Sequence, residues 1–404
     1  MTSPTGPDRC DGVLPASASE AETARLPADP GEASADVKAP FPYFGGKSRV
    51  AAQVWARLGN PDTYVEPFGG SLAVLLARPA SHEWWLRRET VGDFTGHVVN
   101  FFRAVRADAP AVAREAAWPI TEADLTARHL WLVRYHDELA EKLAADPDFY
   151  DVRAAAWWVW GVSAWVGGEW CSGLGPWHPG DPAGPGVYRK MPMLSGNHGG
   201  KGVHRPVRSV PGRDETGFPM VAAMYEDALV QQFSRLANRL HRVRIACGDW
   251  SRLTKSAVTP SKGQKTGVFL DPPYDLALRR GDLYGPTDRD AGPTGAVGPV
   301  RGKRGKCSDG PVLQPHEAAR DWALSIGDDP SLRIAYCGYS NPEEDALFAA
   351  QGWSPLRWTA AGGYGLQADN SARGNRHLEI VWFSPHCLTD DSDPAVTPRE
   401  GELL

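Results

Sequence analysis

Short apolar runs that end in glycine or acidic residues alternate along this chain with segments of helical periodicity. Residues 63–68 (TYVEPF) form one such run, Gly69-Gly70 ends it, and residues 71–77 have the spacing of a helix. A second run ends at Gly92-Asp93 and precedes a helical pattern over 98–105. Further strand-like runs are Val243–Gly248, Val268–Asp271, Leu332–Gly338 and Leu378–Phe383. Because strands alternate with helices, the pattern predicts an α/β fold with a doubly wound, mostly parallel sheet.

Two long segments interrupt this alternation. The first opens with amphipathic helical sequence at 129–144, continues with an aromatic helix at 154–160 and ends in a stretch rich in Gly and Pro. We expect most of the tryptophans in this segment to belong to the core of a helical subdomain. The predicted organisation is a main domain made of 39–109 and 243–387, an insertion at 110–242 and a basic Gly/Pro-rich loop at 276–312.

Both ends of the chain are acidic and poor in large apolar residues. Residues 1–38 and 388–404 are predicted to be disordered tails, because they cannot bury enough surface to offset the entropy of ordering. The net charge of −6 on 404 residues argues at first against a nucleic-acid enzyme. The first 39 residues, however, have seven acids and three bases, and the last 17 have five acids and one base. Each tail therefore carries −4, and the rest of the chain carries +2.

Other classes are excluded more directly. No stretch approaches the roughly 20 consecutive apolar residues of a membrane span, and the first residues do not have the pattern of a secretory signal. The six cysteines contain no C-x-x-C pair, so neither a zinc site nor a disulfide framework is predicted. A reducing, cytoplasmic location is the expectation.

The sharpest chemical signal is the tetrapeptide Asp271-Pro272-Pro273-Tyr274, directly after a predicted strand. Open α/β sheets place their chemistry at the carboxyl ends of strands. The carboxylate of Asp271 and the carbonyl of Pro272 are both acceptors, so they suit an amino group with two N–H bonds. Tyr274 offers a flat face for a nucleobase. The alternative is a strand-ending turn with a solvated aspartate, which this exact tetrapeptide disfavours.

Three weaker signals accompany it. The segment 65–70 (VEPFGG) places glycines after the first strand, where a backbone can approach a ligand. It lacks the full G-x-G-x-x-G pattern, so a dinucleotide cofactor is disfavoured. Asp93 ends the second strand and can accept hydrogen bonds from ribose hydroxyls. The segment 43–47 (YFGGK) reads by itself as a turn.

In combination these motifs resemble those of the Dam-type (D12 class) DNA adenine-N6 methyltransferases, which use S-adenosylmethionine. The order is similar: an aromatic-x-Gly-Gly-Lys element, a Glu-Pro-Phe-x-Gly loop, an acidic second strand, an insertion and Asp-Pro-Pro-Tyr. The segment 375–385 (NRHLEIVWFSP) is similar to the family's closing strand. The resemblance covers about residues 40–387. It implies a Rossmann-like methyltransferase sheet with a largely helical target-recognition insertion.

The resemblance also assigns roles by position and implies no metal. Asp93 matches the acid that binds the ribose, Asp249 the acid near the adenine, and Asp271 the acid between the cofactor and the target amine. Asp93 is followed by Phe-Thr, where the family often has x-Asn. The residues expected to bind S-adenosylmethionine are Tyr43, Lys47, Glu66, Pro67, Phe68, Gly69, Gly70, Asp93, Asp249 and Asp271. The expected catalytic residues are Asp271, Pro272, Pro273 and Tyr274.

Two basic segments are the candidates for contact with DNA. One lies within the insertion and contains no acid, and the other follows the Asp-Pro-Pro-Tyr motif. Their basic residues are Arg189, Lys190, Lys201, Arg205, Arg208, Arg213, Arg301, Lys303, Arg304 and Lys306. Basic segments of this kind suit phosphate contact. A solvated basic loop is the alternative.

The sequence therefore predicts transfer of a methyl group from S-adenosylmethionine to the N6 amine of an adenine in double-stranded DNA. The same chemistry on cytosine N4 or on an RNA adenine is one alternative, and a catalytically silent DNA-binding relative is another. A cognate restriction endonuclease is a candidate partner. The chemistry requires only one chain, and no membrane partner is expected.

Overall fold

A computed structural model describes residues 37–43, 46–165, 170–171, 203, 221–255, 258, 260–273, 315–358 and 379–389. The predictions for the basic loop at 276–312, for most of both tails and for Tyr274 lie outside these residues, and so do all ten basic residues assigned to DNA contact. Val37 is already buried against the core, so this residue of the predicted tail belongs to the folded body.

Within the described residues, seven strands form one sheet in the order β3-β2-β1-β4-β5-β7-β6. Neighbouring strands from β3 to β5 are parallel, and β7 is antiparallel to both of its neighbours. The strands are β1 (Thr63–Glu66), β2 (Arg88–Asp93), β3 (Arg244–Cys247), β4 (Thr266–Leu270), β5 (Leu332–Tyr339), β6 (Ser354–Arg357) and β7 (Glu379–Phe383). The predicted α/β class and the mostly parallel sheet are confirmed.

Strand β6 is absent from the predicted strands. Its sequence, Ser354-Pro355-Leu356-Arg357, has one aliphatic side chain and a proline, so it lacks the apolar run that marks the other strands. It lies at the edge of the sheet, the position where a proline can be accommodated in a strand. Tertiary pairing with β7, rather than local pattern, makes it a strand.

Eight α-helices lie in the described ranges. They are α1 (Ala51–Leu58), α2 (Ala73–Leu76), α3 (Gly96–Ala116), α4 (Glu122–Ala145), α5 (Val152–Ala164), α6 (Val221–Leu240), α7 (Pro315–Ile326) and α8 (Pro342–Ala350). The helical patterns at 98–105, 129–144 and 154–160 lie within α3, α4 and α5. None of these helices is long and apolar enough to cross a membrane.

The predicted insertion boundary at residue 110 falls inside α3. The helix is kinked at Asp108, whose backbone is non-helical, and resumes after it. The Asp108 carboxylate accepts the N–H of Ala111 at 3.0 Å, as an N-cap does, and Pro110 lies in the first turn that follows. The proline therefore begins a second helical segment instead of ending the helix.

The central strands of the sheet are buried on both faces. Alternate side chains of each central strand point to opposite faces, so Tyr64 and Val65 of β1 belong to different hydrophobic clusters. Trp158 and Trp160 of α5 lie in the same cluster as Tyr64, which confirms that they are core residues. The helices of the predicted insertion thus share a core with one face of the sheet.

A buried ion cluster fastens α6 to the sheet. Arg239 of α6 donates to both carboxylate oxygens of Glu89 on β2, at 2.6 and 3.0 Å. Arg78, which follows α2, donates to Glu89 at 3.1 Å and to the carbonyl oxygen of Pro61 at 2.7 Å. Trp84 lies against the Arg239 guanidinium, 4.1 Å from ring centroid to Cζ. One carboxylate therefore joins α6, β2 and the segment after α2.

We expect Glu89→Ala to destabilise the fold by about 3–5 kcal/mol, because it leaves two buried guanidinium groups without their shared carboxylate. Urea denaturation followed by circular dichroism measures this change. Glu138→Ala is the matched control, since Glu138 forms an exposed ion pair with Lys142 on α4. Its midpoint should stay close to that of the wild type. Equal midpoints for both variants would contradict a structural role for the cluster.

Candidate active site

The strand order reverses between β1 and β4, and a cavity lies at the carboxyl ends of these strands. Open α/β sheets bind ligands at such a switch point, because the connections on either side diverge to opposite faces. Ten of the residues predicted from the sequence line this one cavity. They are Tyr43, Lys47, Glu66, Phe68, Gly69, Gly70, Asp93, Asp271, Pro272 and Pro273.

Two predicted cofactor residues within the described ranges do not line the cavity. Pro67 is buried. Asp249 is exposed, and its Oδ1 accepts the N–H of Ser251 at 2.9 Å, which caps a short 3₁₀ turn. It follows Gly248, whose N–H donates to the carbonyl oxygen of Asp93 at 3.0 Å. Asp249 is therefore on the same edge of the sheet, one strand beyond Asp93.

The glycine loop after β1 is held by β2 and by Tyr43. The N–H of Gly69 donates to the carbonyl oxygen of Gly92 at 2.7 Å. Gly70 has a φ of 49°, and a Cβ at this position would lie 2.6 Å from the Tyr43 ring. Both the backbone conformation and the close approach therefore require glycine here. The loop exposes its backbone to the cavity without an intervening side chain.

Asp93 fixes the junction between β1 and β2. Its Oδ2 accepts the N–H of Gly70 at 2.9 Å and its Oδ1 accepts the N–H of Thr95 at 2.7 Å. Burial raises the pKa of Asp93, and the two backbone N–H groups act in the opposite direction. Each carboxylate oxygen has a further lone pair. Asp93 can therefore hold the loop and still accept a hydrogen bond from a ligand.

Glu66 is a buried acid at the end of β1. Its Oε2 accepts the hydroxyl of Tyr64 at 2.8 Å and the N–H of Leu75 at 3.2 Å. Burial raises the pKa of Glu66 to about 8, although both hydrogen bonds act to lower it. The carboxyl group lines the cavity and carries a proton through much of the neutral range.

Lys47 forms the electrostatic centre of the site. Its Nζ lies 2.8 and 2.9 Å from the two carboxylate oxygens of Asp271, and 3.7 Å from Oε2 of Glu379. Burial alone would lower the pKa of Lys47, but the charges of Asp271 and Glu379 outweigh it and raise this pKa. Burial also raises the pKa of Glu379, against the influence of Lys47. Lys47 is therefore an ammonium that bridges the ends of β4 and β7.

Two aromatic side chains, those of Phe68 and Phe94, line the cavity, and Phe68 packs on further aromatic rings. Phe68 of the glycine loop stacks on Trp250 with ring centroids 5.8 Å apart, and Trp250 meets Trp322 of α7 edge-on at 6.2 Å. Phe94, which lines the cavity, is 40% exposed although it is a large apolar side chain. These rings offer flat apolar surface next to the polar groups of Asp93 and Lys47.

Several site residues were not predicted from the sequence. Phe94 and Thr95 follow Asp93 directly. The one sign of their importance in the sequence was that they differ from the x-Asn pattern of the family that the motifs resemble. Phe269 lines the cavity from within β4, where it could not be told from an ordinary core residue. Glu379 carried a stronger signal, because it is the single acid of an otherwise apolar strand.

No protein-family model matches this chain, and no curated protein is found to be similar to it. The function is therefore argued from the geometry of the cavity and from the motifs that line it.

We expect Glu66→Gln to change how stability depends on pH. The folded-state pKa of about 8 lies above the ordinary value of 4.5, so the folded protein holds a proton that the unfolded chain releases. The stability contributed by this group is present below pH 4.5 and is lost as the pH rises to about 8. The loss in wild type approaches about 1.4 kcal/mol per pH unit in that range.

Glutamine keeps an oxygen acceptor for Tyr64 and Leu75 but does not titrate. The variant should therefore gain stability relative to wild type as the pH rises from 5 to 8, measured by urea denaturation at each pH. Glu138→Gln, at an exposed position on α4, is the control and should follow the wild-type curve. Parallel curves for Glu66→Gln and wild type would contradict the raised pKa.

Proposed function

We propose that this protein is a DNA adenine-N6 methyltransferase that uses S-adenosylmethionine. The observation that carries the proposal is the single cavity that joins Asp271-Pro272, the Glu66–Gly70 loop and Asp93 at the switch point of the sheet. The strand order, with β7 antiparallel between β5 and β6, is compatible with the Rossmann-like methyltransferase sheet that the motifs imply. The expected location is cytoplasmic.

The charge of the cavity and the open glycine loop support S-adenosylmethionine as the cofactor. Its described carboxyl groups outnumber its one lysine, which suits a cationic ligand, and the loop at Gly70 has no Cβ to obstruct a close approach. Asp93 would accept the ribose hydroxyls, and Phe68 and Gly69 would surround the methionine part. Tyr43 and Lys47 would contact the cofactor from the opposite side, and Asp249 would lie towards the adenine. When bound, S-adenosylmethionine supplies a methyl group on a positively charged sulfur.

The roles of the protein groups follow from the acceptors at the end of β4. The N6 lone pair of adenine is delocalised into the ring, which makes it a poor nucleophile. The carboxylate of Asp271 and the carbonyl of Pro272 would each accept a hydrogen bond from one N–H of the amine. These hydrogen bonds would favour a more tetrahedral nitrogen. Lys47 holds both oxygens of Asp271, so this acceptor is ordered before substrate arrives. Positioning then supplies much of the rate.

DNA would reach this cavity as an extrahelical base. An adenine inside a duplex cannot approach Asp271, so it must leave the stack. We expect Tyr274, next to Pro273, to stack on the extruded base. The basic segments that contain Arg205 and Arg304 would contact phosphates and hold the duplex. A restriction endonuclease with the same recognition sequence remains a candidate partner, and a single chain suffices for the chemistry.

The proposal is tested by incubating the protein with labelled S-adenosylmethionine and duplex DNA of varied sequence, digesting the DNA to nucleosides and identifying the methylated base. N6-methyladenine is the expected product. N4-methylcytosine, or label in RNA alone, would establish the same chemistry on another amine. Absence of label in every nucleic acid, with cofactor bound, would favour a silent DNA-binding protein and overturn the proposal.

We expect Asp271→Asn to lower the rate of methyl transfer by about 10²–10³-fold, because a neutral amide accepts a weaker hydrogen bond from the target amine than a carboxylate does. The cofactor affinity, measured by isothermal titration calorimetry, should fall much less. Asp137→Asn, an exposed position on α4, is the matched control and should keep the wild-type rate. A fully active Asp271→Asn variant would show that the reaction occurs elsewhere.

For the insertion, we expect replacement of both Arg205 and Arg208 by Ala to flatten the salt dependence of DNA binding. Loss of two phosphate contacts should reduce the slope of log K against log salt by about 2. Fluorescence anisotropy with labelled duplex DNA at several salt concentrations measures this slope. Lys262→Ala is the control, because this exposed lysine precedes β4 and lies at the edge of the sheet away from the cavity. A slope equal to that of the control would indicate that this segment is an ordinary solvated loop that does not contact DNA.

A further inference from the structure

Glu379 is a buried acid that the proposed chemistry does not use directly. It is the first residue of β7 and is not among the described residues that line the cavity. Its Oε2 nevertheless lies 3.7 Å from Nζ of Lys47, the atom that contacts both carboxylate oxygens of Asp271. Glu379 is therefore one contact away from the acceptor that would bind the target amine.

More than one contact is needed to fix the position of the Lys47 ammonium group. A lysine carries a compact charge on a flexible four-carbon stem, so a single ion pair does not determine where the charge lies. Glu379 supplies a second anchor on a strand that is hydrogen-bonded on both sides, to β5 and to β6. The ring of Trp358 lies 5.9 Å from the same Nζ and bounds it further. The side chain of Lys47 is 2% exposed, so little space remains for it to move.

The charges also matter for what Asp271 can do. Two carboxylates share one ammonium, so Lys47 does not fully neutralise Asp271. An ionised carboxylate accepts stronger hydrogen bonds than a neutral group. The side chain of Asp271 is 20% exposed and faces the cavity, whereas that of Glu379 is 9% exposed. The shared ammonium thus leaves negative charge on Asp271, which is the one of these two carboxylates that lines the cavity.

We propose that Glu379 is a positioning residue that holds Lys47 against Asp271, so that the Asp271 carboxylate keeps the orientation and charge with which it accepts an N–H of the target amine. This inference rests on the proposed methyl transfer. It differs from a purely structural role, in which Glu379 would only stabilise the buried lysine. Removal of the Glu379 charge would then lower the stability of the fold without specifically lowering the rate of methyl transfer.

The test is Glu379→Gln, which keeps the shape of the side chain and removes its charge. The single-turnover rate of methyl transfer with saturating S-adenosylmethionine should fall about 10- to 100-fold, because small displacements of a catalytic group have effects of this size. The Kd for S-adenosylmethionine, measured by calorimetry, should stay within about threefold of wild type. Glu343→Gln, at an exposed position on α8, is the control and should keep the wild-type rate.

A second variant, Glu379→Asp, keeps the charge on a shorter side chain. We expect its rate to lie between those of wild type and Glu379→Gln. An unchanged rate in Glu379→Gln would overturn the inference, as would a rate loss matched by an equal loss of cofactor affinity. An aspartate variant no faster than the glutamine variant would also overturn it, because the charge would then have no role.

A further measurement separates this inference from the proposed function. If wild type methylates no nucleic acid, the proposed function fails, and the coupling of Glu379 to Lys47 is still observable by ¹⁵N NMR of the lysine ammonium groups. The buried, ion-paired Lys47 should give a slowly exchanging signal in wild type, identified by its absence in Lys47→Met. In Glu379→Gln this signal should shift and exchange faster. An unchanged signal would overturn the positioning role whatever the protein methylates.

Discussion

The site depends on one buried ammonium. Lys47 has its charge almost wholly removed from water, and this is stable only because carboxylates from two different strands surround it. The same contacts bring together three distant parts of the chain, namely the segment before α1, the end of β4 and the start of β7. The antiparallel insertion of β7 beside β5 places Glu379 where it can reach this ammonium. The sheet topology and the electrostatics of the cavity are therefore coupled.

The surplus of acid around the cavity has a physical consequence. Burial raises the pKa values of Glu66, Asp93 and Glu379, so each would hold less negative charge without the donors that surround it. Backbone N–H groups offset burial at Asp93, and Lys47 offsets it at Glu379. Glu66 has no described cation in contact, and burial raises its pKa to about 8. A cationic ligand in the cavity would lower the pKa of Glu66 and favour its ionised form, so the charge of the proposed cofactor would complement this site.

The features that could be predicted from sequence are those encoded locally. Strands β1 and β4 are short, with apolar residues at their centres, and the glycine loop and Asp271 come soon after them, so pattern and motif coincide. Strand β6 has no such run and forms only through its partner β7. The contact of Glu379 with Lys47 joins residues more than 300 positions apart, and nothing near either residue specifies it. The predicted insertion boundary at residue 110 instead falls inside α3, because the capping carboxylate of Asp108 begins a second helical segment there.

Two buried ion clusters among the described residues differ in the ratio of acids to bases. At Glu89 two arginines donate to the same carboxylate, every charged group is almost fully buried, and the result joins helix to sheet. At Lys47 the ratio is reversed, with two carboxylates on one cation, and Asp271 remains accessible from the cavity. A carboxylate saturated by two guanidinium groups has little capacity left for a ligand. A carboxylate that shares an ammonium with another acid retains such capacity, and this difference supports the proposed role of Asp271 as the acceptor.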